Sequence, residues 1–520
     1  MNGAESLLQT LLRDEVTVCF ANPGTSEMHF VAALERTPEM RGVLCLFEGV
    51  ATGAADGYGR IAGKPAVTLL HLGPGFGNGW ANLHNARRSG APLINVIGDH
   101  ATWHRELDAP LTSDVEGLAK TVSAWVGTAE EADEVAAVTA QAVAASRSFG
   151  GQIASMILPA DAAWNAAEGA ASPLAPSLKQ APDAAIDAAA KTLKAGAKPV
   201  LLVGRNGLYG NGLKACARIA AATQALVCCD TFAPRFERGA GRFELARLPY
   251  FGELIVDFLK DTDEMVVAGT KPPVSFFAYP ETESHLTPPG VSPVRLAFPD
   301  EDVAEALTRL ADALDAPAYA DIAGDQEKSL ALPELIEEGP LTTDALGRAL
   351  ARFLPANAII SDEAITSGLE SYIYTASAEP HDWMSVCGGA IGQGLPVGIG
   401  AAVAAPDRKV VCLQADGSAM YTVQSLWTMA REKLDVTTVL LSNRAYSILN
   451  IELQRVGVEA IPNRMPDLFS LRDPDICWAD LAQSMGVEAV RCETAEAFNG
   501  AIAEYLSRPG PTLIEAVLPG

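Results

Sequence analysis

Residues 409–446 read KVVCLQADGSAMYTVQSLWTMAREKLDVTTVLLSNRAY, and their pattern decides the fold. The apolar run 410–414 has the length and composition of a buried parallel strand and stops at Ala415-Asp416-Gly417-Ser418, a small-residue turn with one carboxylate. Val423, Leu426, Trp427 and Ala430 then fall at helical spacing, and 437–441 is a second apolar strand ending at Ser442-Asn443. Strand, helix and strand make a βαβ unit whose parallel strands finish on one sheet edge, so Asp416 and Asn443 are expected to meet there. One carboxylate, one amide oxygen and a nearby loop carbonyl form a hard, oxygen-only set suited to magnesium, and the helix after the turn offers its N-terminus to a phosphate. An Asp ahead of a helix is more often an N-cap, and an Asn after a strand a turn residue. The pairing of the two on matching strand ends is what supports a magnesium-diphosphate clamp.

The same strand, turn and helix pattern fills the N-terminal part of the chain. Strand 16–21 leads to Asn22-Pro23-Gly24-Thr25-Ser26, strand 43–47 to Glu48 and a Gly/Ala-rich helix, strand 66–70 to His71-Leu72-Gly73-Pro74-Gly75, and strand 93–97 to Gly98-Asp99-His100. An Ala/Pro/Ser-rich linker follows at about 164–187. A second α/β unit opens with strand 199–203 and the turn Gly204-Arg205-Asn206-Gly207, which lacks the full dinucleotide fingerprint and reads as a tight turn. After a further connection at about 316–340, a third unit carries the clamp. The expected class is α/β, with three doubly wound parallel-sheet domains at 1–165, 189–315 and 341–520, their functional groups at the carboxyl ends of the strands. Glu48 and His71 are such groups.

A chain of 520 residues is too long for one core. No apolar stretch is long enough to span a membrane and no basic-then-apolar leader opens the chain, so a cytoplasmic protein is expected. The net charge of −26 argues against nucleic-acid and anionic-membrane partners. Nine scattered cysteines without metal-binding spacing read as small buried hydrophobes in a reducing compartment, with no structural metal beyond the magnesium.

The Asp416-Gly417 to Asn443 segment resembles the thiamine diphosphate motif, with Ala415 in place of its first Gly and Ser442 in place of the first of its two closing asparagines. The segment Phe47-Glu48-Gly49-Val50-Ala51-Thr52-Gly53-Ala54-Ala55-Asp56-Gly57-Tyr58-Gly59-Arg60 resembles the pyrimidine-domain signature of the thiamine diphosphate-dependent decarboxylase and acetolactate synthase family. Gly388-Gly389-Ala390-Ile391-Gly392-Gln393-Gly394-Leu395-Pro396 resembles the family segment beside the cofactor's bent middle. The resemblance implies pyrimidine-binding, central and diphosphate-binding domains. It implies that Glu48 shares a proton with the aminopyrimidine, that the Gly389 carbonyl accepts from it, and that Ile391 wedges the two rings together. Asp416, Asn443 and the Ala445 carbonyl would hold magnesium, with Gly417, Ser418, Tyr446 and Thr366 toward the cofactor. Glu48 and the diphosphate would come from different subunits of a homodimer or dimer of dimers.

Within the family the fit is best with benzoylformate decarboxylases. Asn22-Pro23-Gly24-Thr25-Ser26-Glu27 places Thr25 at a substrate-contacting serine, and His71-Leu72-Gly73-Pro74-Gly75-Phe76-Gly77-Asn78 places His71 at a catalytic histidine. The second histidine of those enzymes falls near 274–279, where this chain has none. Pyruvate decarboxylase fits less well, since its glutamate corresponds here to Leu449, and acetolactate synthase has a glutamine where Asp99 stands. The implied reaction is non-oxidative decarboxylation of a benzoylformate-like 2-oxo acid through a thiazolium ylide and an enamine. The alternatives are an acetolactate synthase-like carboligase and a catalytically silent thiamine diphosphate-binding subunit.

Overall fold

The computed structural model describes residues 1–519 except 281, 327–330 and 458–466. Three sheets organise them. The first is six-stranded and parallel, in the order Arg41–Leu44, Val18–Ala21, Ala66–His71, Leu93–Asp99, Ile153–Pro159, Trp125–Thr128. Every residue of Leu93–Asp99 is buried, as a strand covered by helices on both faces must be. The second sheet is parallel and runs Ala246–Arg247, Leu226–Cys229, Pro199–Val203, Glu264–Ala268, Val294–Ala297. Its first helix, Asp183–Ala195, begins inside the stretch that composition marks as a linker.

The third sheet runs Glu488–Cys492, Thr512–Val517, Val436–Ser442, Val410–Ala415, Ile359–Glu363, His381–Ser385, and ends on Phe236–Arg238. That last strand pairs antiparallel with His381–Ser385 and is donated by the middle of the chain. Strand order reverses between Val18–Ala21 and Ala66–His71 in the first sheet and between Ile359–Glu363 and Val410–Ala415 in the third. Such reversals open a crevice at the carboxyl ends of the strands.

The first and third sheets are joined by two helices that meet backbone to backbone. Glu48–Ala62 crosses Gly394–Ala404 so closely that a methyl group at Gly400 would lie 1.8 Å from the Ala54 carbonyl oxygen. The Gly/Ala richness of both segments is therefore a packing requirement. Beside this crossing, buried Arg60 pairs with buried Asp56 one turn earlier and donates from Nη1 to the carbonyls of Ser385 (2.9 Å), at the end of a third-sheet strand, and Pro234 (3.3 Å), on the connection from the second sheet to Phe236–Arg238. Ser89 Oγ donates to the same carboxylate at 2.8 Å. Among the described residues no helix is long and apolar enough to cross a membrane.

Removing one partner of a buried ion pair leaves an uncompensated charge. Asp56→Asn is expected to cost about 3–5 kcal/mol of stability, read as a lower urea midpoint with unchanged native circular dichroism.

Candidate active site

The strand reversal of the first sheet is occupied by an ordered acid-base group. Glu27, in the single turn Thr25–Glu27, is buried, and its Oε2 accepts from Gly24 N at 2.8 Å. His71 Nδ1 lies 3.0 Å from Glu27 Oε2 and 3.1 Å from Oε1. Ser26 Oγ, 3.0 Å from the same nitrogen, donates to Glu27. Close packing fixes both partners: a methyl group on Gly24 would sit 2.2 Å from the His71 ring, and one on Gly98 1.9 Å from Glu27 Oε1. A carboxylate only accepts, so the hydrogen-bond network assigns the neutral imidazole's proton to Nδ1 and its lone pair to Nε2. Thr25 is exposed at this turn, and it is Ser26 that reaches the imidazole.

Glu48 opens the helix Glu48–Ala62 and is buried, with Oε2 accepting from Asn78 Nδ2 at 3.0 Å. It lies close to His71, since a methyl group on Gly75 would be 3.2 Å from His71 Cβ and 3.3 Å from Glu48 Oε1.

One strand from the reversal of the third sheet, pairing of Ala415 with Leu441 brings the ends of Val410–Ala415 and Val436–Ser442 level. Asp416 is 3% exposed; its Oδ1 accepts from its neighbour Gly417 N (2.8 Å) and its Oδ2 from Arg444 N (2.6 Å). Burial pushes this carboxyl above the usual range, partly offset by those donors. Arg444 adopts a left-handed backbone with φ +57°, which swings its N–H toward the other strand end. Asn443 Oδ1 accepts from Ala445 N at 3.0 Å, and its Nδ2 donates to Ser447 Oγ at 3.1 Å. Tyr446 N donates to the Phe469 carbonyl, and its ring covers Gly417, where a methyl group would lie 2.4 Å away. The expected single helix after Asp416 is in fact two, the turn Asp416–Ala419 and then Ser425–Glu432, so the N-terminus beside Asp416 is that of one turn only. Its small residues and Gly417 favour a tight turn over a long helix.

Glu363, the last residue of Ile359–Glu363, organises the glycine-rich loop. Its buried carboxylate accepts from Gly392 N (2.7 Å), Gln393 N (3.2 Å), Gly394 N (2.7 Å) and Gln414 Nε2 (2.9 Å). Gln414 Nε2 also lies 2.6 Å from Ser418 Oγ, linking the loop to the Asp416 turn. From the other side the helix Leu72–Ser89 presents Asn82, which donates to the Gly392 carbonyl (3.3 Å), and Asn85, which donates to that of Ala390 (2.7 Å). Asn78, Asn82 and Asn85 recur at helical spacing, a polar stripe that could have been read from sequence. Gly389 has φ +77°, and Phe276, from the segment where a second histidine is expected, lies over it, with its Cζ 2.8 Å from the position of an added methyl group. Tyr279 donates its hydroxyl to Glu452. Ile391 and Thr366 are partly buried, and the turn Ile365–Ser367 packs against the helix Ser447–Arg455.

Two halves thus form. Glu48 and His71 lie together, and Asp416, Asn443, Ala445 and Tyr446 lie together with Gly417 and Ser418; among the described residues no direct hydrogen bond or ion pair joins Glu48 or His71 to the second group, and the two are linked through Asn82, Asn85 and the 388–394 loop. Among those residues no three His, Cys, Asp or Glu side chains converge to hold a metal alone. The donor set of the second half fits magnesium held jointly with a diphosphate, because Mg²⁺ takes one or two carboxylates and completes its shell with phosphate and water oxygens. The space that side chains would fill at Gly389 and Gly417 is taken by the rings of Phe276 and Tyr446. Glu363→Ala would strand several buried N–H groups; we expect a loss of about 3 kcal/mol or more, measured by denaturant unfolding.

Residues 1–124 match the family model "Thiamine pyrophosphate enzyme, N-terminal TPP binding domain", and residues 367–516 match its C-terminal TPP binding domain. The chain is 49% identical over 520 residues to a Mycobacterium tuberculosis protein named "Putative acetolactate synthase large subunit IlvX", covering 100% of this chain and 99% of that one. It is 28% identical over 530 residues to a benzoylformate decarboxylase of Pseudomonas aeruginosa, covering 98% and 97% of the two chains. In fold it is similar to a thiamine diphosphate-dependent 4-hydroxybenzoylformate decarboxylase of Rhodococcus jostii RHA1, with TM-score 0.86, 23% identity and coverage of 100% and 99%. The chain belongs to the thiamine diphosphate-dependent enzymes of the decarboxylase and acetolactate synthase family.

Proposed function

We propose that this enzyme binds thiamine diphosphate with magnesium and removes the carboxyl group of a benzoylformate-like 2-oxo acid without oxidation. The observation that carries the reading is the Glu27–His71 pair beside Glu48, a proton-handling unit of fixed tautomer at the strand reversal. When bound, the cofactor supplies a nucleophilic carbon and an electron sink. Glu48 holds a proton at the oxygen that Asn78 leaves free, for exchange with the aminopyrimidine. His71 takes or returns a proton at Nε2, and Thr25 with Ser26 borders the substrate. Asp416, Asn443 and the Ala445 carbonyl hold magnesium, while Gly417, Ser418, Tyr446 and Thr366 face the diphosphate. Gly389 and Ile391 fix the bend between the rings.

The domains are assigned as 1–165 for the pyrimidine, 189–315 as the central unit and 341–520 for the diphosphate. A second copy of the chain completes each site, in a homodimer or dimer of dimers. Exposed Met28 and Leu46 near the first half and Met420 and Tyr421 near the second support that surface. Free cysteines, seven of the nine buried, agree with a cytoplasmic setting.

Carboligation of two 2-oxo acids is the second reading, favoured by the 49% identical relative named for acetolactate synthase. Incubation with pyruvate and with benzoylformate separates them. Benzaldehyde as the main product is expected, and acetolactate as the main product would move the assignment to the second reading. Glu48→Gln is expected to keep thiamine diphosphate binding and to lose about 10²–10⁴-fold in exchange of the thiazolium proton. An unchanged exchange rate would remove Glu48 from its role.

A further inference from the structure

The segment that lays Phe276 over Gly389 also supplies Tyr279, whose hydroxyl donates to Glu452 Oε2. Glu452 belongs to the helix Ser447–Arg455, which starts directly after Asn443, Ala445 and Tyr446. Leu449 and Glu452 are three residues apart on that helix and share a face. The helical rise puts Glu452 about 9 Å along the axis from Tyr446. Chain length keeps Tyr279 within about 10 Å of Phe276. The Tyr279–Glu452 bond therefore joins the segment covering Gly389 to the helix that follows the ring covering Gly417.

Tyr279 holds one oxygen of Glu452 and leaves the other free. The side chain is 18% exposed, and Oε1 is buried with no hydrogen-bond partner among the described residues. Arg455, one turn on, forks onto Glu253, with Nη1 donating to Oε1 and Nη2 to Oε2 at 3.0 Å. Its guanidinium also lies on the rings of Phe251 and Tyr279, 4.6 and 4.5 Å from their centroids. These contacts fix its orientation and leave Nε buried without a hydrogen-bond partner, 3.8 Å from Glu452 Oε2. A free acceptor and a free donor thus stand beside one another, each carrying the cost of a buried polar group left unpaired. Leu449 and Phe276, apolar and exposed, stand on either side of the Tyr279–Glu452 bond along the chain.

We propose that Glu452 Oε1 and Arg455 Nε recognise a hydroxyl group at the end of the substrate remote from its 2-oxo acid. The inference rests on the decarboxylation reading and narrows its substrate to a hydroxyl-bearing 2-oxo acid. A hydroxyl donates to a carboxylate and accepts from a guanidinium, so it satisfies both free groups at once. A methyl group of similar size satisfies neither, and a carboxylate would accept from Arg455 while meeting Glu452 with like charge. Leu449 and Phe276 offer apolar flanks to the body of such a molecule, and the two polar atoms fix its end. Tyr279 is a positioning residue, because by holding Oε2 it makes Oε1 the oxygen left for the substrate. Discrimination of this kind comes from polar groups stranded by the wrong substrate rather than from the size of the pocket.

The test uses the full chain loaded with thiamine diphosphate and magnesium. Benzoylformates carrying a hydroxyl, a methyl or a carboxyl group at the para position are compared by kcat/KM for carbon dioxide release. The hydroxyl compound is expected to exceed the methyl compound by about 100-fold in wild type, with the carboxyl compound the poorest of the three. Glu452→Leu is expected to bring the hydroxyl-to-methyl ratio to about one, and Glu452→Gln, whose amide oxygen still accepts, to keep part of it. A ratio taken within one variant is independent of the amount of folded enzyme, and its change between variants is independent of the intrinsic reactivity of the two compounds. Equal kcat/KM for the hydroxyl and methyl compounds in wild type overturns the proposal, as does a ratio unchanged in Glu452→Leu. Carbon dioxide from none of the three overturns the decarboxylation reading instead. The role of Glu452 is then decided by calorimetry of 4-hydroxybenzaldehyde and 4-methylbenzaldehyde on the same holoenzyme and on Glu452→Leu. Binding of the hydroxyl compound about tenfold tighter in wild type, and not in the variant, supports the role; equal binding of the two in wild type overturns it.

Discussion

A single buried carboxylate fixes the geometry on which the third sheet's half of the site depends. Asp416 accepts from Gly417 N on its own turn and from Arg444 N on the turn of the next strand, so two strand ends are locked at one height. The lock leaves Asn443, whose Oδ1 accepts from Ala445 N, on the neighbouring turn, and Tyr446 closes over Gly417 because no side chain stands in its way. Burial opposes the charge on Asp416, and the backbone donors only partly offset that opposition. A divalent cation would supply the remaining compensation, which couples the order of this turn to the presence of a ligand.

The other half uses the same device with a different charge relation. Glu27 is pinned by Gly24 N and by close packing at Gly98, and it orients an imidazole rather than a strand end. The loop at 388–394 stands between the two carboxylate-centred groups, held from below by Glu363 and from the side by Asn82 and Asn85. Both supports are buried and hydrogen-bonded, so the loop is positioned before any ligand arrives. Pre-organisation of this kind is what a site handling protons at fixed atoms requires.

The strand ends were legible in the sequence because their pattern is local. Residues 410–415 and 436–442 are apolar runs closed by small polar turns, and the parallel register follows from the βαβ connection. Glu363 was not legible as a support, because its partners Gly392, Gly394 and Gln414 lie far along the chain and a carboxylate at a strand end looks like any turn residue. The same distance hides the bond from Arg60 to Ser385, and it hides the strand Phe236–Arg238, too short for a periodic signal, which crosses to the third sheet. The contact of Ser26 with His71 depends on the tight turn Thr25–Glu27, which composition does not reveal. The split helix after Asp416 was hidden for the opposite reason, since the apolar spacing of 423–430 is helical while the small residues just before it form a separate turn.

The clamp at Asp416 is tested most directly by calorimetric titration of thiamine diphosphate into the wild-type protein and Asp416→Ala, each with and without magnesium. Wild type should bind the cofactor tightly only when magnesium is present, and Asp416→Ala should lose that dependence together with about 10–100-fold in affinity. Binding to Asp416→Ala that is as tight and as magnesium-dependent as in wild type would contradict the clamp.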